Sequence, residues 1–292
     1  MTGSPSMVSR RLALPLLVAL LAGAPHARAE RPTAARYAFV PDGVETRRLD
    51  EALSPPPGFV RVPVARRSFG EYLRGMPLAL GPARVRAYDG RTIVEPYDKR
   101  VAAVAALDVG RADLQQCADS VIRWHAEWLW AEGRAHEAAY HFVSGDRATF
   151  ADYARGVRPI VSPRRVRWER RAAPASDRKA YRAYLELVFT YASTLSLVRE
   201  AQPIERAAIA PGDFFVLGGS PGHAVLVLDV AVDARGRKVA LLGQGYMPAQ
   251  DFHVLSGDDA RFGAWFSLEV EEVTTPFWPT PFPWSSLRRF TG

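Results

Sequence analysis

Four strand-like segments follow one another in the last third of the chain, and they constrain the fold more than any other feature. They read DFFVLGG, HAVLVLDVAVD, KVALLGQGYM and DFHVL, and glycine, proline and the turn ARGR separate them. Short apolar runs bounded by turn residues are typical of β-strands. Because strands joined by tight turns pair antiparallel, this region predicts a mostly antiparallel sheet.

Two helical patterns precede these strands. In ADLQQCADSVIRWHAEWLWAEGR, Cys117 and Trp124 lie on one helical face, Asp113 can cap the first turn, and Gly133 marks the end. A second helix is predicted over 177–200. Helices followed by a run of strands favour an α+β fold in one domain, with the N-terminal helices packed on the sheet.

The first 57 residues divide into two segments. Residues 1–29 have the pattern of a secretory signal peptide, because Arg10 and Arg11 precede an apolar run that ends in an A-x-A site. That run is shorter than the roughly 20 apolar residues that cross a bilayer, so we expect a secreted or periplasmic protein without a transmembrane span. Residues 30–57 end in SPPPG and predict a proline-rich linker that does not pack. The domain is expected over 58–292, with a Pro/Trp-rich C-terminal tail too rich in proline for regular structure.

The chain contains one cysteine in 292 residues, so no internal disulfide can form and the fold depends on its core. The formal charge of +7 falls to +4 when Arg10, Arg11 and Arg28 leave with the signal peptide. No arginine-rich stripe interleaved with aromatic residues is present, so binding of nucleic acid is not expected. The sequence also has no H-E-x-x-H motif and no paired cysteines, and we predict neither a metal nor a cofactor.

Cys117 and His223 have the residue types and positions of a catalytic pair. Near a helix N-terminus the pKa of a thiol is lowered, because the helix dipole and free N–H groups favour the thiolate. The turn GGSPGH brings His223 to the first position of a strand, and the amide oxygen of Gln244 on the next strand can accept the imidazole N–H. Asp229 would lie about 20 Å along the strand from His223 and is discounted as the orienting group. His253 is a rival imidazole, but no turn presents it.

The block PGDFFVLGGSPGHAVLVLDV resembles the "PGD, apolar run, GH, apolar strand" block of NlpC-like and CHAP-type cell-wall hydrolases. This resemblance implies a papain-like fold whose nucleophilic cysteine begins a buried helix. Carried to this chain, it implies Cys117 as nucleophile, His223 as general base and Gln244 as the orienting group. The backbone N–H of Cys117, helped by Gln115 or Gln116, would then stabilise the oxyanion.

A longer part of the chain, from Gly58 to about Trp265, resembles a bacterial family, the domain of unknown function 4846. The blocks GFVRVPV, FGEYLRGMPL, QQCADSVIR and FTYASTLSL carry this second resemblance. It implies no activity.

The predicted function is that of a thiol-dependent, peptidase- or amidase-like hydrolase or acyl transferase. Its substrate would be an amide or ester bond in peptides of the cell envelope, including those derived from peptidoglycan. A competing interpretation is a papain-like fold without catalysis that binds peptide or glycan through its C-terminal tail and the arginine-rich loop SPRRVRWERRAAPAS. A metal hydrolase is the third alternative, and its candidate ligands are His125, His136, His141 and His253.

Overall fold

The computed structural model describes residues 1–3 and 36–291. Apart from its first three positions, the predicted signal peptide over 1–29 lies outside these residues. The chain divides into two compact units, Met1–Pro32 and Thr33–Gly292, and every described helix and strand belongs to the second. Within the described ranges, no helix combines the length and the apolar character that crossing a membrane requires.

Two of the α-helices are long, with 15 and 14 residues, and the others are short. The α-helices are α1 (Leu49–Ala52), α2 (Phe69–Arg74), α3 (Cys117–Ala131), α4 (Phe150–Ala154), α5 (Arg178–Tyr191) and α6 (Thr194–Arg199), and the 3-10 helices are Ala135–Glu137, Arg206–Ala208 and Trp284–Ser286. The predicted second helix is therefore two helices, because the Ser193 side chain caps a new helix after Tyr191.

The strands belong to one large sheet and several two-stranded ribbons. The first ten are β1 (Thr46–Arg48), β2 (Phe59–Arg61), β3 (Pro77–Ala79), β4 (Val85–Arg86), β5 (Thr92–Val94), β6 (Val101–Val104), β7 (Ala139–His141), β8 (Arg147–Thr149), β9 (Val157–Ser162) and β10 (Arg165–Arg170). The remainder are β11 (Ala201–Pro203), β12 (Phe214–Leu217), β13 (His223–Asp233), β14 (Lys238–Gln244), β15 (His253–Leu255), β16 (Phe266–Ser267), β17 (Glu272–Thr275), β18 (Trp278–Pro283) and β19 (Leu287–Phe290).

The large sheet has the order β11-β19-β12-β13-β14-β15-β6, and β2 and β16 pair with β13 and β14. Its recorded pairings are antiparallel. The turn ARGR joins β13 to β14 as the sequence predicts, with Leu226 opposite Gly243. The mixed helix and sheet composition and the mostly antiparallel pairing confirm the coarse fold prediction.

An apolar layer covers each face of the large sheet. Leu226 of β13 belongs to the same buried cluster as Trp124 of α3. Val225, the preceding residue on that strand, belongs to a second cluster with Phe282 of β18. Because neighbouring residues of a strand point to opposite faces, α3 covers one face of β13 and the β17–β18 ribbon covers the other.

The predicted linker over 30–57 packs where it is described. Tyr37 and Leu49 are buried, and the Tyr37 hydroxyl donates a hydrogen bond to the carbonyl oxygen of Tyr72 at 2.7 Å. Strand β1 pairs with β3. The prediction of a segment that does not pack is wrong for residues 36–57, because its few apolar side chains insert into the main core.

Two further segments predicted to be irregular form strands. The arginine-rich SPRRVRWERR folds into the hairpin β9–β10, in which Trp168 stacks on Phe142 with ring centroids 5.7 Å apart. The Pro/Trp-rich C-terminal tail forms β17, β18 and β19. Its prolines are compatible with strand structure because β17 and β18 form a two-stranded ribbon, in which one edge of each strand has no ladder to complete.

Candidate functional site

Cys117 is the first residue of α3, and its thiol is buried against the start of β13. The Sγ atom donates to the carbonyl oxygen of Gly222 at 4.0 Å, and the side chain is among the core residues at 4% exposure. Burial, and then the nearby Asp119 carboxyl, raise the pKa of the Cys117 thiol to about 11, although backbone N–H groups of Ala224 and the first helical turn act in the opposite direction. In this conformation burial outweighs the helix N-terminus, and the thiol is protonated at neutral pH.

A glycine directly after β14 lets the end of that strand approach the first turn of α3 closely. A Cβ atom on Gly245 would overlap the Ser120 hydroxyl and lie 3.0 Å from the carbonyl oxygen of Gln116. A Cβ atom on Gly222 would overlap the Thr194 hydroxyl at the start of α6. The missing side chain of Gly245 therefore allows a close approach to the helical turn that carries Cys117.

The two predicted oxyanion glutamines differ in whether their amide nitrogen is already bonded. The Gln116 amide nitrogen donates to Asp113 Oδ1 at 2.9 Å. The amide oxygen of Gln115 accepts from Arg123 Nη1 at 2.9 Å and from Arg182 Nη1 at 3.2 Å. Two of the predicted oxyanion donors have no partner in the described residues: the buried amide nitrogen of Gln115, and the backbone N–H of Cys117, which the helix start leaves without an intrahelical partner.

His223 and Gln244 do come together. The imidazole Nε2 lies 2.7 Å from Gln244 Oε1, and both residues are fully buried. Burial, followed by the neighbouring His253, lowers the pKa of His223 to about 4, while the hydrogen bond to Gln244 opposes this change. The imidazole is therefore neutral at pH 7 and has one N–H and one lone pair.

His253 extends this pair into a chain of hydrogen bonds. Gln244 Nε2 lies 3.3 Å from His253 Nε2, and His253 Nδ1 lies 3.0 Å from the carbonyl oxygen of Asp251. Sequence reasoning treated His253 as a rival imidazole, because nothing in DFHVL shows that β15 pairs beside Gln244.

The chain of hydrogen bonds has one consistent direction. Burial lowers the pKa of His253 to about 4, so this ring is neutral, and its Nδ1 must donate because the Asp251 carbonyl can only accept. Its Nε2 therefore accepts from the Gln244 amide, and Gln244 Oε1 accepts from His223 Nε2–H. The lone pair of His223 is left on Nδ1, a buried atom with no hydrogen-bond partner in the part of the chain that the structure describes.

Aromatic residues of the C-terminal tail cover the His223 ring. The Trp278 ring stacks on it with centroids 4.7 Å apart, and the Tyr246 ring lies 5.0 Å away. The Tyr246 hydroxyl donates to the carbonyl oxygen of Phe277 at 2.9 Å, which ties the turn of the β17–β18 ribbon to the site. Sequence reasoning assigned neither Trp278 nor Tyr246 to the site; the aromatic run TTPFWPTPFPW was the only signal for Trp278, and Tyr246 had none.

The structure does not join Cys117 to His223. No hydrogen bond connects the thiol to the imidazole in the described part of the chain, and the helix that carries Cys117 packs on the sheet face opposite the one with Trp278 and Phe282. Both residues nevertheless lie at the start of β13, because the thiol contacts the backbone of Gly222 and of Ala224, which flank His223 in the sequence.

The remaining candidates have separate partners. Asp229 accepts from Arg61 Nε at 2.6 Å and from Arg74 Nε at 2.8 Å, so it anchors α2 and β2 and takes no part in the His223 chain. His141 contacts Glu200, with 3.1 Å between Nδ1 and Oε2. Within residues 1–3 and 36–291, no group of three or more His, Cys, Asp or Glu side chains could hold a metal ion.

Comparison with known proteins gives a family and nothing finer. The sequence model of one family, described as Domain of unknown function (4846), matches residues 49–289. No curated protein and no solved structure matches the chain.

Proposed function

Since the chain belongs to the family described as Domain of unknown function (4846), which names no activity, we propose a function from its residues. The protein is a thiol-dependent hydrolase or acyl transferase that acts on an amide or ester bond. Cys117 is the nucleophile, His223 the general base and Gln244 the group that orients the imidazole.

The direction of the hydrogen bonds around His223 carries this proposal. A buried ring nitrogen with a lone pair and no partner is costly, and such groups call for an explanation. Proton transfer from a thiol would explain it, because Nδ1 is the free acceptor of a ring whose other nitrogen is hydrogen-bonded to Gln244.

In the proposed reaction the Cys117 sulfur attacks the carbonyl carbon while its proton moves to His223 Nδ1. The imidazolium then returns this proton to the leaving amine or alcohol, which leaves a thioester on Cys117. Water or a second amine resolves the thioester and again gives its proton to Nδ1. Before the reaction, the Cys117 thiol must break its hydrogen bond to the Gly222 carbonyl and move around the start of β13 to His223 Nδ1.

The papain-like fold, the export of the protein and an envelope peptide as substrate belong to the same proposal. They are supported by the PGD…GH block that resembles NlpC-like and CHAP-type hydrolases and by the pattern of residues 1–29.

The rate at which iodoacetamide alkylates the single cysteine between pH 5 and 11 tests the proposal on the folded protein. We expect the wild-type rate to fall at least tenfold in His223→Ala, because the imidazole accepts the thiol proton while the sulfur attacks the reagent. His136→Ala, at an exposed histidine, is the matched control and should leave the rate unchanged. Equal rates in the wild type and His223→Ala, or reaction only in denaturant, would refute the catalytic pair.

The same outcome would favour a second candidate, a non-catalytic module that binds peptide or glycan. The burial of the thiol and its pKa of about 11 support that candidate. A soluble peptidoglycan fragment that binds the wild type and Cys117→Ser with the same affinity, together with an inert thiol, would establish it.

A further inference from the structure

A second candidate site lies away from the Cys117 and His223 region, in a cavity of about 320 Å³. Its walls come from the segment before α2, the middle of α3, the PGD turn at 211–213 and the end of β19. His125, on the α3 wall, is two turns beyond Cys117, about 12 Å along the helix axis at the usual rise per residue. The volume is in the range of about 300–1,000 Å³ that small-molecule sites occupy.

Four aromatic rings, including that of His125, line one part of this cavity. His125 stacks on Phe290 with centroids 4.0 Å apart and an interplanar angle of 20°. Phe69 meets the edge of His125 at 5.5 Å and lies 5.6 Å from Trp128. Such walls favour an apolar ligand, with any polar group of the site deciding how the ligand is oriented.

His125 supplies that polar group. The residue is 8% exposed, its Nδ1 lies 2.9 Å from the Tyr140 hydroxyl, and its buried Nε2 has no hydrogen-bond partner among the residues that the structure describes. Burial lowers the pKa of His125 to about 3, so the ring is neutral. His125 is also the only hydrogen-bond partner of the Tyr140 hydroxyl in the described residues. The buried phenol therefore donates to Nδ1, and Nε2 carries a hydrogen that lacks an acceptor.

The two charged side chains that line the cavity, Asp213 and Arg289, form an ion pair. The fully buried Asp213 carboxylate accepts from Arg289 Nε at 2.6 Å and Nη2 at 2.9 Å, and from the backbone N–H of Ala210 at 2.8 Å. Nη1 of Arg289 makes no hydrogen bond in the described part of the chain and is a further donor beside the cavity. A ligand with its own charge would have no counter-ion, whereas a neutral oxygen acceptor would satisfy a donor that is now unpaired.

We propose that this cavity binds an uncharged, mainly apolar small molecule whose carbonyl oxygen accepts a hydrogen bond from His125 Nε2–H. The ligand class is a small aliphatic or aromatic amide or ester. This site is independent of the proposed catalysis at Cys117, and either can fail without the other.

Titration of ¹⁵N-histidine-labelled protein with hexanamide, followed by NMR, tests the proposal. We expect a saturable shift of the His125 Nε2 resonance, assigned by its absence in His125→Phe, and no saturable shift with hexylamine or hexanoate. Absence of saturation with hexanamide, or equal binding of either charged analogue, would overturn the proposal.

A variant that fills the cavity from its rim makes the test specific. Ala65 is exposed and lines the cavity, so Ala65→Phe should weaken hexanamide binding at least tenfold without disturbing the core. Ala173→Phe, at an exposed alanine outside the lining, is the matched control and should bind like the wild type. Unchanged affinity in Ala65→Phe would place binding elsewhere and refute the site.

Discussion

His223 and His125 are both buried neutral histidines with one unpaired ring nitrogen, but this nitrogen is an acceptor in His223 and a donor in His125. At His223 the hydrogen bond to Gln244 uses Nε2–H and leaves the lone pair of Nδ1 free. At His125 the hydrogen bond from Tyr140 uses the lone pair of Nδ1 and leaves Nε2–H free. The partner of a histidine, more than its burial, thus decides whether the free nitrogen can take a proton or bind an acceptor.

The cover over the two rings also differs. Trp278 stacks on His223 from a ribbon at the end of the chain, whereas His125 lines a cavity of about 320 Å³. We expect Trp278→Ala to raise the pKa of His223 from about 4 toward 6.5, because burial is the main cause of its lowered value. The full change would be roughly three hundredfold in the proton affinity of the ring.

Titration of the histidine ring protons by NMR measures this effect. His125 is the internal control, since Trp278 does not contact it and its pKa should stay near 3. An unchanged pKa of His223 in Trp278→Ala would show that the tail does not shield the ring.

His253→Phe removes the acceptor for the Gln244 amide and leaves this donor buried without a partner. We expect the free energy of unfolding to fall by about 1–3 kcal/mol, the usual cost of an unsatisfied buried group. The Gln244 amide can then rotate and donate to His223 Nε2, so that in part of the molecules the ring hydrogen lies on Nδ1. The alkylation of Cys117 should therefore slow. Urea unfolding and the alkylation rate check the two effects. A variant with wild-type values for both would show that His253 has no influence on His223.

Tyr140→Phe is the equivalent change at the other histidine, and its effect should be smaller. The loss of one buried hydrogen bond is expected to cost about 0.5–1.5 kcal/mol of unfolding free energy. Without the phenol, both tautomers of His125 become accessible, and binding of hexanamide should weaken while His223 keeps its tautomer. The same NMR spectra report on both rings, and a shift at His223 alone would contradict this separation.

Local sequence patterns predict two features of this region, although the helix of Cys117 is capped at Gln116 and the predicted cap at Asp113 is wrong. The position of Cys117 at a helix start follows from helical spacing, and the return of Gln244 beside His223 follows from the short turn ARGR. Both depend on residues within one helix or one hairpin, where period and turn chemistry are informative.

The face on which each side chain lies could not be predicted. Strand β13 is apolar and buried on both faces, so it lacks the alternation that would have shown His223 pointing away from the helix of Cys117. The Trp278 cover and the packing of Tyr37 depend on contacts between distant parts of the chain, for which no local pattern exists.

The tautomer of His223 in the folded wild-type protein decides whether this residue can act as the proposed general base. Nitrogen NMR of the ¹⁵N-labelled imidazole at pH 7 shows which nitrogen carries the hydrogen. The account predicts a hydrogen on Nε2, bonded to Gln244, and none on Nδ1. A hydrogen on Nδ1 would contradict it, because the lone pair of His223 would then lie on Nε2, against Gln244, and could not accept the proton of Cys117.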